Sequence, residues 1–186
     1  MTCIVGLIDN GKVWMGGDSA GVAGLNVTLR KDPKVFKNGD FLIGYTSSFR
    51  MGQLLRFKFN PPKYYAEQYN NDEYKYMCTD FIDSIRKCLK TGGYSKISSN
   101  EETGGCFLVG FNGRLFEIDL DFQVGESLAK YEAVGCGAGY AKGSLFNSWN
   151  FHNSEIHDPE EVIREALLAA ENFSGGVRSP FIIENI

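Results

Sequence analysis

The stretch whose reading decides the fold runs from Thr2 to Asp18, TCIVGLIDNGKVWMGGD. Residues 2–8 form a short apolar run rich in branched side chains, which suits a buried strand. Asp9-Asn10-Gly11 is a strong hairpin signal, because Asn and Gly tolerate the positive φ angles that tight turns between antiparallel strands require. Residues 12–17 then run back beside the first strand. An antiparallel pair returns to its own start, so Asp18 is expected alongside Thr2.

The same grammar continues outward. A glycine-rich bend through Gly21 and Gly24 leads to strands over 27–29 and 34–37, a second turn at Asn38-Gly39 and a strand over 41–46. After Ser47 the period becomes helical: Met51, Leu54, Leu55 and Phe57 lie on or near one face, up to the stop at Pro61-Pro62. A longer helix is expected over 73–89, with Tyr74, Met77, Cys78, Phe81, Ile82, Ile85, Cys88 and Leu89 as one stripe and Gly92-Gly93 ending it. Residues 94–103 read as a polar surface loop, followed by a third hairpin, 106–111 and 114–120, across Asn112-Gly113. Strands are expected over 122–124 and 131–134, and a helix from about 139 to 146. In the last helix Asp158 is the N-cap, Pro159 takes the first helical position and Glu161 completes a capping box. Gly175-Gly176 closes that helix, and 180–183 form a final strand. Hairpins, helices, hairpins, helices and a closing strand suit an α+β fold of two antiparallel sheets packed face to face with helices outside. Turns as short as Asn-Gly exclude a parallel doubly wound sheet.

The chain of 186 residues is long enough for one core, and one domain over 1–186 is expected. Nineteen basic against 23 acidic residues give a net charge of -4, which disfavours nucleic acid or an anionic membrane as the main partner. No apolar stretch reaches the roughly 20 residues of a membrane span and no secretion leader is evident, so a cytoplasmic protein is expected. The five cysteines, Cys3, Cys78, Cys88, Cys106 and Cys136, are scattered without a C-x-x-C pair; they read as mostly buried apolar residues, not disulfides or metal ligands. His152 and His157 lie in a polar stretch without metal spacing and read as surface residues. Gly135-Cys136-Gly137 invites a dinucleotide reading, which fails at Tyr140, where a third glycine belongs.

Thr2 carries the chemistry. Removal of Met1, which a small second residue permits, frees a threonine amine with a pKa of about 7.7–8.0, a usable base beside a hydroxyl that is itself a poor nucleophile. Such a device needs a carboxylate to orient it and a cation to keep the amine neutral. Asp18 supplies the first, and Lys34, opening another strand, the second.

With these residues in place the chain resembles the proteasome β subunits and their bacterial relatives, the N-terminal nucleophile hydrolases. The resemblance lies in Thr2, Gly16-Gly17-Asp18-Ser19 and Lys34-Val35-Phe36. It continues in Val134-Gly135-Cys136-Gly137, in Gly139-Tyr140-Ala141-Lys142-Gly143, and in Glu171-Asn172-Phe173-Ser174-Gly175-Gly176. It implies an αββα sandwich and peptide-bond hydrolysis by Thr2, tuned by Asp18 and Lys34 and supported by Glu171, Ser174 and Cys136. No metal or organic cofactor is implied. The expected substrate is a peptide or unfolded protein, and the expected assembly a homo-oligomer, as a ring in the best-known relatives, with an ATP-driven unfoldase as a partner. Three residues depart from the family pattern: Cys136 stands for a serine, Glu171 for an aspartate, and Ser47 for a glycine whose N–H stabilises the oxyanion. Tyr45 and Phe49 flank that turn as candidate substrate contacts. Two alternatives share the scaffold: a hydrolase of small amides or acyl-amino compounds, and an inactive scaffold kept for assembly.

Overall fold

The computed structural model describes residues 1–151 and 158–186; His152 and His157 lie outside the described residues. β1 (Cys3–Asp9) and β2 (Lys12–Gly17) form the first hairpin, with Asp9 opposite Lys12 and Ile4 opposite Gly17. Its turn has Asn10 at φ 47° and Gly11 at φ 75°, the left-handed pair that suits the twist of two-residue hairpins. β3 (Ala20–Ala23) and β4 (Asn26–Leu29) make a separate ribbon in which all of β4 is exposed. β5 (Val35–Asn38) and β6 (Phe41–Tyr45) pair with Asn38 opposite Phe41, so the turn is Gly39-Asp40, one residue later than expected. α1 (Phe49–Phe57) is capped by the Ser48 hydroxyl, which accepts from Arg50 N–H. Met51, Leu54 and Leu55 of α1 are buried, whereas Phe57, expected on or near the same face, is 70% exposed.

The long helix departs from its expected stripe for a local reason. α2 (Glu73–Tyr76) and α3 (Ile82–Thr91) are joined by a π-helical turn, Met77–Phe81. A π turn inserts an extra residue and rotates the rest of the helix about its axis. Tyr76 and Phe81 therefore share the buried face with Met77, Ile82, Ile85 and Leu89, while Tyr74 and Cys78 turn outward. The polar stretch expected as a loop folds into a ribbon of β7 (Lys96–Ser98) and β8 (Glu101–Thr103), closed by Ser99 and Asn100 at φ 50° and 70°.

β9 (Phe107–Phe111) and β10 (Arg114–Ile118) close over Asn112-Gly113. β11 (Val124–Glu126) starts later than expected, because Phe122 adopts φ 66° and cannot continue a strand. β12 (Tyr131–Gly135) leads into α4 (Ala138–Phe151), longer than the sequence pattern suggests. α5 (Pro159–Phe173) begins at Asp158, whose carboxylate accepts from Glu160 N–H at 3.0 Å, a simple N-cap in place of the capping box. β13 (Ile182–Asn185) completes the chain.

Two sheets result, in strand order β12-β1-β2-β13 and β11-β10-β9-β6-β5. Alternation along the strands assigns every side chain to a layer. From β1, Cys3, Val5 and Leu7 face α4 and α5, where they pack with Ala141, Leu145, Ile163 and Leu167. Ile4 faces the other way and packs between the sheets with Val13, Met15, Leu42, Leu108 and Leu115. The outer face of the second sheet, with Phe41, Ile43, Phe107 and Phe111, packs on Leu54, Tyr76, Phe81 and Leu89 of the α1–α3 layer. Helix, sheet, sheet and helix thus enclose three apolar layers, which is why β1 and β9 read as continuous apolar runs. The turns of β1–β2 and β9–β10 abut at one end, where a Cβ on Gly113 would lie 2.6 Å from the Gly11 carbonyl oxygen. Of the cysteines, only Cys3 is fully buried; Cys78 and Cys136 are exposed and Cys88 and Cys106 half-buried, which corrects the expectation of a mostly buried set.

At the opposite end, β12 closes against the chain start. Gly135 has φ 102°, and a Cβ there would lie 2.3 Å from the Thr2 carbonyl oxygen. Gly135→Ala is therefore expected to destabilise the protein by about 2–4 kcal/mol through combined backbone strain and overpacking. Differential scanning calorimetry should show melting roughly 5–15 °C lower, at about 2–4 °C per kcal/mol for a chain of this size.

Candidate active site

The β1–β2 register carries Asp18 back to the chain start, where its backbone N–H donates to Cys3 O at 3.3 Å. The carboxylate turns inward. Asp18 Oδ1 accepts from Cys3 N–H at 3.0 Å, and Oδ2 from Ala20 N–H at 2.8 Å and Arg178 N–H at 3.4 Å. Lys34 enters from the other sheet, immediately before β5, with its carbonyl accepting from Tyr45 N–H at 3.0 Å. Lys34 Nζ donates to Asp18 Oδ1 and to Thr2 Oγ1, both at 2.8 Å. Thr2, Asp18 and Lys34 are 5%, 2% and 2% exposed. Two charges withdrawn from water are costly unless their geometry and remaining hydrogen bonds are good, and here the carboxylate has three N–H donors besides the ammonium. Burial pushes the Lys34 ammonium below its ordinary value, while the Asp18 carboxylate opposes that shift.

The main chain of Thr2 meets the segments after β12 and α5. Thr2 N–H donates to Cys136 Sγ at 3.2 Å, and Thr2 O accepts from Gly137 N–H at 3.3 Å. Cys136 Sγ also lies 3.4 Å from Thr2 O and 3.2 Å from Ser174 Oγ. A thiol is a weak donor and acceptor, so this junction is looser than a hydroxyl would make it. The Thr2 hydroxyl donates to the Met1 carbonyl, so its proton points at the peptide bond that precedes it. Glu171 is engaged elsewhere: its carboxylate accepts from Ser179 N–H at 2.8 Å and Ser179 Oγ at 3.1 Å, fastening the segment that delivers Arg178 N–H to Asp18.

A cavity of about 70 Å³ opens beside Thr2, lined among others by Lys34, Tyr45, Thr46, Ser47 and Phe49. Ser47 takes φ 60°, and among the described residues its backbone N–H has no hydrogen-bond acceptor. Burial raises the Tyr45 phenol, which stays protonated. Arg30 stacks on the Phe49 ring at 3.9 Å and pairs with Asp32 at 2.8 Å, placing a neutralised cation at the rim. Among the described residues no group of three or more His, Cys, Asp or Glu side chains is placed to hold a metal ion.

Of the residues singled out from sequence, Thr2, Asp18, Lys34, Cys136 and Ser174 form one hydrogen-bonded chain. Ser47, Tyr45 and Phe49 line the adjoining cavity, whereas Glu171 is outside both groups, with its carboxylate bonded to Ser179. Sequence reading misses the backbone donors of Ala20 and Arg178 and the contacts of Thr46 with Cys106. The only signal near Arg178 is Gly175-Gly176, where a Cβ on Gly176 would lie 2.9 Å from Cys136 Sγ.

No family model matches the chain, and no curated protein matches it in sequence. Solved structures do. BPH of Thiobacillus denitrificans is 19% identical with a TM-score of 0.81, over 100% of this chain and 97% of that one. The same protein in complex with epoxomicin gives 19% and 0.80, over 100% and 98%. Eukaryotic HslV from Trypanosoma brucei gives 18% and 0.68, over 99% and 98%. The chain therefore shares the αββα sandwich fold of these structures.

Two measurements test the site's electrostatics. Lys34→Met should leave Asp18 without its cation and cost about 3–5 kcal/mol, read as a lower midpoint in urea denaturation. In any reaction that needs the Lys34 ammonium, the alkaline limb of kcat/KM should fall below pH 10.5, the ordinary lysine value, because burial makes this group lose its proton earlier. A limb at or above that value would contradict the assigned role.

Proposed function

We propose that this chain is an N-terminal threonine hydrolase that cleaves peptide bonds, with Thr2 as nucleophile once Met1 has been removed. One observation carries the reading: a single buried ammonium lies 2.8 Å from both the Thr2 hydroxyl and the Asp18 carboxylate. Removal of Met1 turns the Thr2 N–H that now faces Cys136 Sγ into a free amine beside its own hydroxyl. The amine takes the hydroxyl proton as Oγ1 attacks the scissile carbonyl, and the nearby Lys34 cation keeps the amine neutral enough to do so. The Ser47 N–H receives the developing oxyanion. The amine then hands the proton to the leaving amine, and water, deprotonated by the same group, hydrolyses the resulting ester. Asp18 holds Lys34, Cys136 and Ser174 hold the amine, and Glu171 acts at a distance by fastening residue 179.

The full-length structural likeness to HslV and to BPH, the latter also solved with epoxomicin, supports this reading. Peptides or unfolded proteins are the proposed substrates. The chain works as a homo-oligomer, in a ring, served by an ATP-driven unfoldase. Exposed apolar side chains support assembly: Leu25 and Leu29 on and beside β4, and Phe173 at the end of α5, are 101%, 63% and 71% exposed. Among the described residues no helix is long and apolar enough to cross a membrane, and cytoplasmic residence is part of the proposal.

Intact mass spectrometry after treatment with a threonine-reactive epoxyketone is expected to show loss of Met1 and one adduct per chain. Thr2→Ala is expected to abolish peptide hydrolysis and labelling while leaving the fold and the oligomeric state unchanged. Full turnover by Thr2→Ala would refute the mechanism.

A further inference from the structure

We propose that the Ser47 hydroxyl is a positioning group, which holds the Ser47 backbone N–H aimed into the space beside Thr2 by closing a ring of hydrogen bonds through Thr46 and Cys106. The proposal rests on the hydrolase reading above and adds the device that keeps its oxyanion donor in place.

Ser47 occupies the left-handed region at φ 60°, which a residue with a Cβ does not hold without support. The support is legible from a count of protons, since each hydroxyl has one proton to give and two lone pairs to receive. Thr46 Oγ1 donates its proton to Cys106 O at 2.8 Å. At the 3.2 Å contact between Thr46 Oγ1 and Ser47 Oγ, the donor must then be Ser47. The Ser47 oxygen in turn accepts from Cys106 N–H at 3.2 Å. The chain of bonds leaves Cys106 by its N–H and returns by its carbonyl, so both side chains of the turn are fastened to one residue's backbone, and bonds arranged head to tail strengthen one another. Thr46 N–H adds a direct bond to the same carbonyl at 3.1 Å.

Two further features fit this device. The Cys106 thiol is turned away, donating to Asp119 Oδ1 at 3.1 Å, so only its backbone serves the turn. Gly105 admits the approach, since a Cβ there would lie 2.8 Å from Ser47 Cβ. A flip of the Thr46–Ser47 peptide would reverse the Ser47 N–H; the Ser48 N–H, which donates to the Thr46 carbonyl at 2.6 Å, opposes the flip directly, and the ring opposes the shift of Ser47 that accompanies it. The hydroxyl that stands where glycine was expected thus substitutes a held turn for a freely adopted one.

The test compares two inhibitors of matched sequence on the full chain: a peptide aldehyde, whose hemiacetal with Thr2 puts an oxygen at the oxyanion position, and the corresponding peptide alcohol, which cannot form it. Ser47→Ala is expected to weaken the aldehyde roughly 10-fold or more, since losing an oxyanion donor outright costs about 100-fold or more. Alcohol binding should change by less than about 2-fold, with kcat lowered and KM kept. Ser47→Gly lacks the hydroxyl but adopts the left-handed φ freely, and should recover part of the aldehyde affinity that Ser47→Ala loses. Thr46→Ser keeps the ring and should retain it, while Thr46→Val should not. Wild-type aldehyde affinity in Ser47→Ala, or equal weakening of both inhibitors, overturns the proposal while leaving the hydrolase reading intact. A wild-type chain lacking Met1 that forms no adduct at Thr2 overturns the hydrolase reading and this proposal with it.

Discussion

The bond between Lys34 and Asp18 is the constraint around which the molecule is arranged. The aspartate comes after β2 of one sheet and the lysine precedes β5 of the other, so the ion pair is also a strut between the layers. A pair of charges in this position is not a source of stability by itself, because both have been taken out of water. It is tolerated because the hairpin, the ribbon start at Ala20 and the turn after α5 each send a backbone N–H to the carboxylate. Three separate parts of the chain must therefore be correctly folded before the ammonium has a settled place. The Thr2 hydroxyl, held by that ammonium at 2.8 Å, inherits the precision of the whole framework.

Much of this was legible in one dimension, and the reason is locality. Asn10-Gly11 and Asn112-Gly113 form the turns their residue types require, and Asp158-Pro159 begins a helix, because each depends only on neighbours along the chain. Thr2, Asp18 and Lys34 could be grouped because a tight hairpin returns to its origin and the next strand begins nearby. The features that escaped detection depend on contacts without sequence period. The π turn at 77–81 moves Tyr76 inward and Tyr74 outward to suit a packed aromatic layer, and no spacing rule announces it. Cys136 could be assigned to the site from sequence, but not its place at the junction of Thr2 and Ser174 nor its exposure. The Arg178 backbone donor lies 160 positions from the carboxylate it serves.

Cys136, Glu171 and Ser47, which differ from the pattern the sequence resembles, fall into different physical kinds. Glu171, longer by a methylene than the aspartate it replaces, reaches Ser179 and braces a neighbouring segment. Cys136 exchanges a strong hydrogen-bonding oxygen for a larger, softer atom, at 3.2 Å from both Thr2 N and Ser174 Oγ. Ser47 adds a side chain in a backbone region where glycine is at ease, and commits it to contacts with Cys106. The first reaches a neighbouring segment, the second weakens a contact, and the third adds one.

The abutting tips of the β1–β2 and β9–β10 turns lie at the far end from the ion pair. A sandwich clasped at both ends cannot open like a book, since neither end is free to serve as the fore-edge. Sliding of the layers along the strands is opposed in turn by the packed side chains of Ile4, Met15, Leu42 and Leu108 between them. Peptide chains or tags spliced into either tip would act as a wedge whose thrust is felt at Thr2, a strand's length away. The exposed ribbon of β3 and β4, which belongs to neither layer, lies outside this constraint.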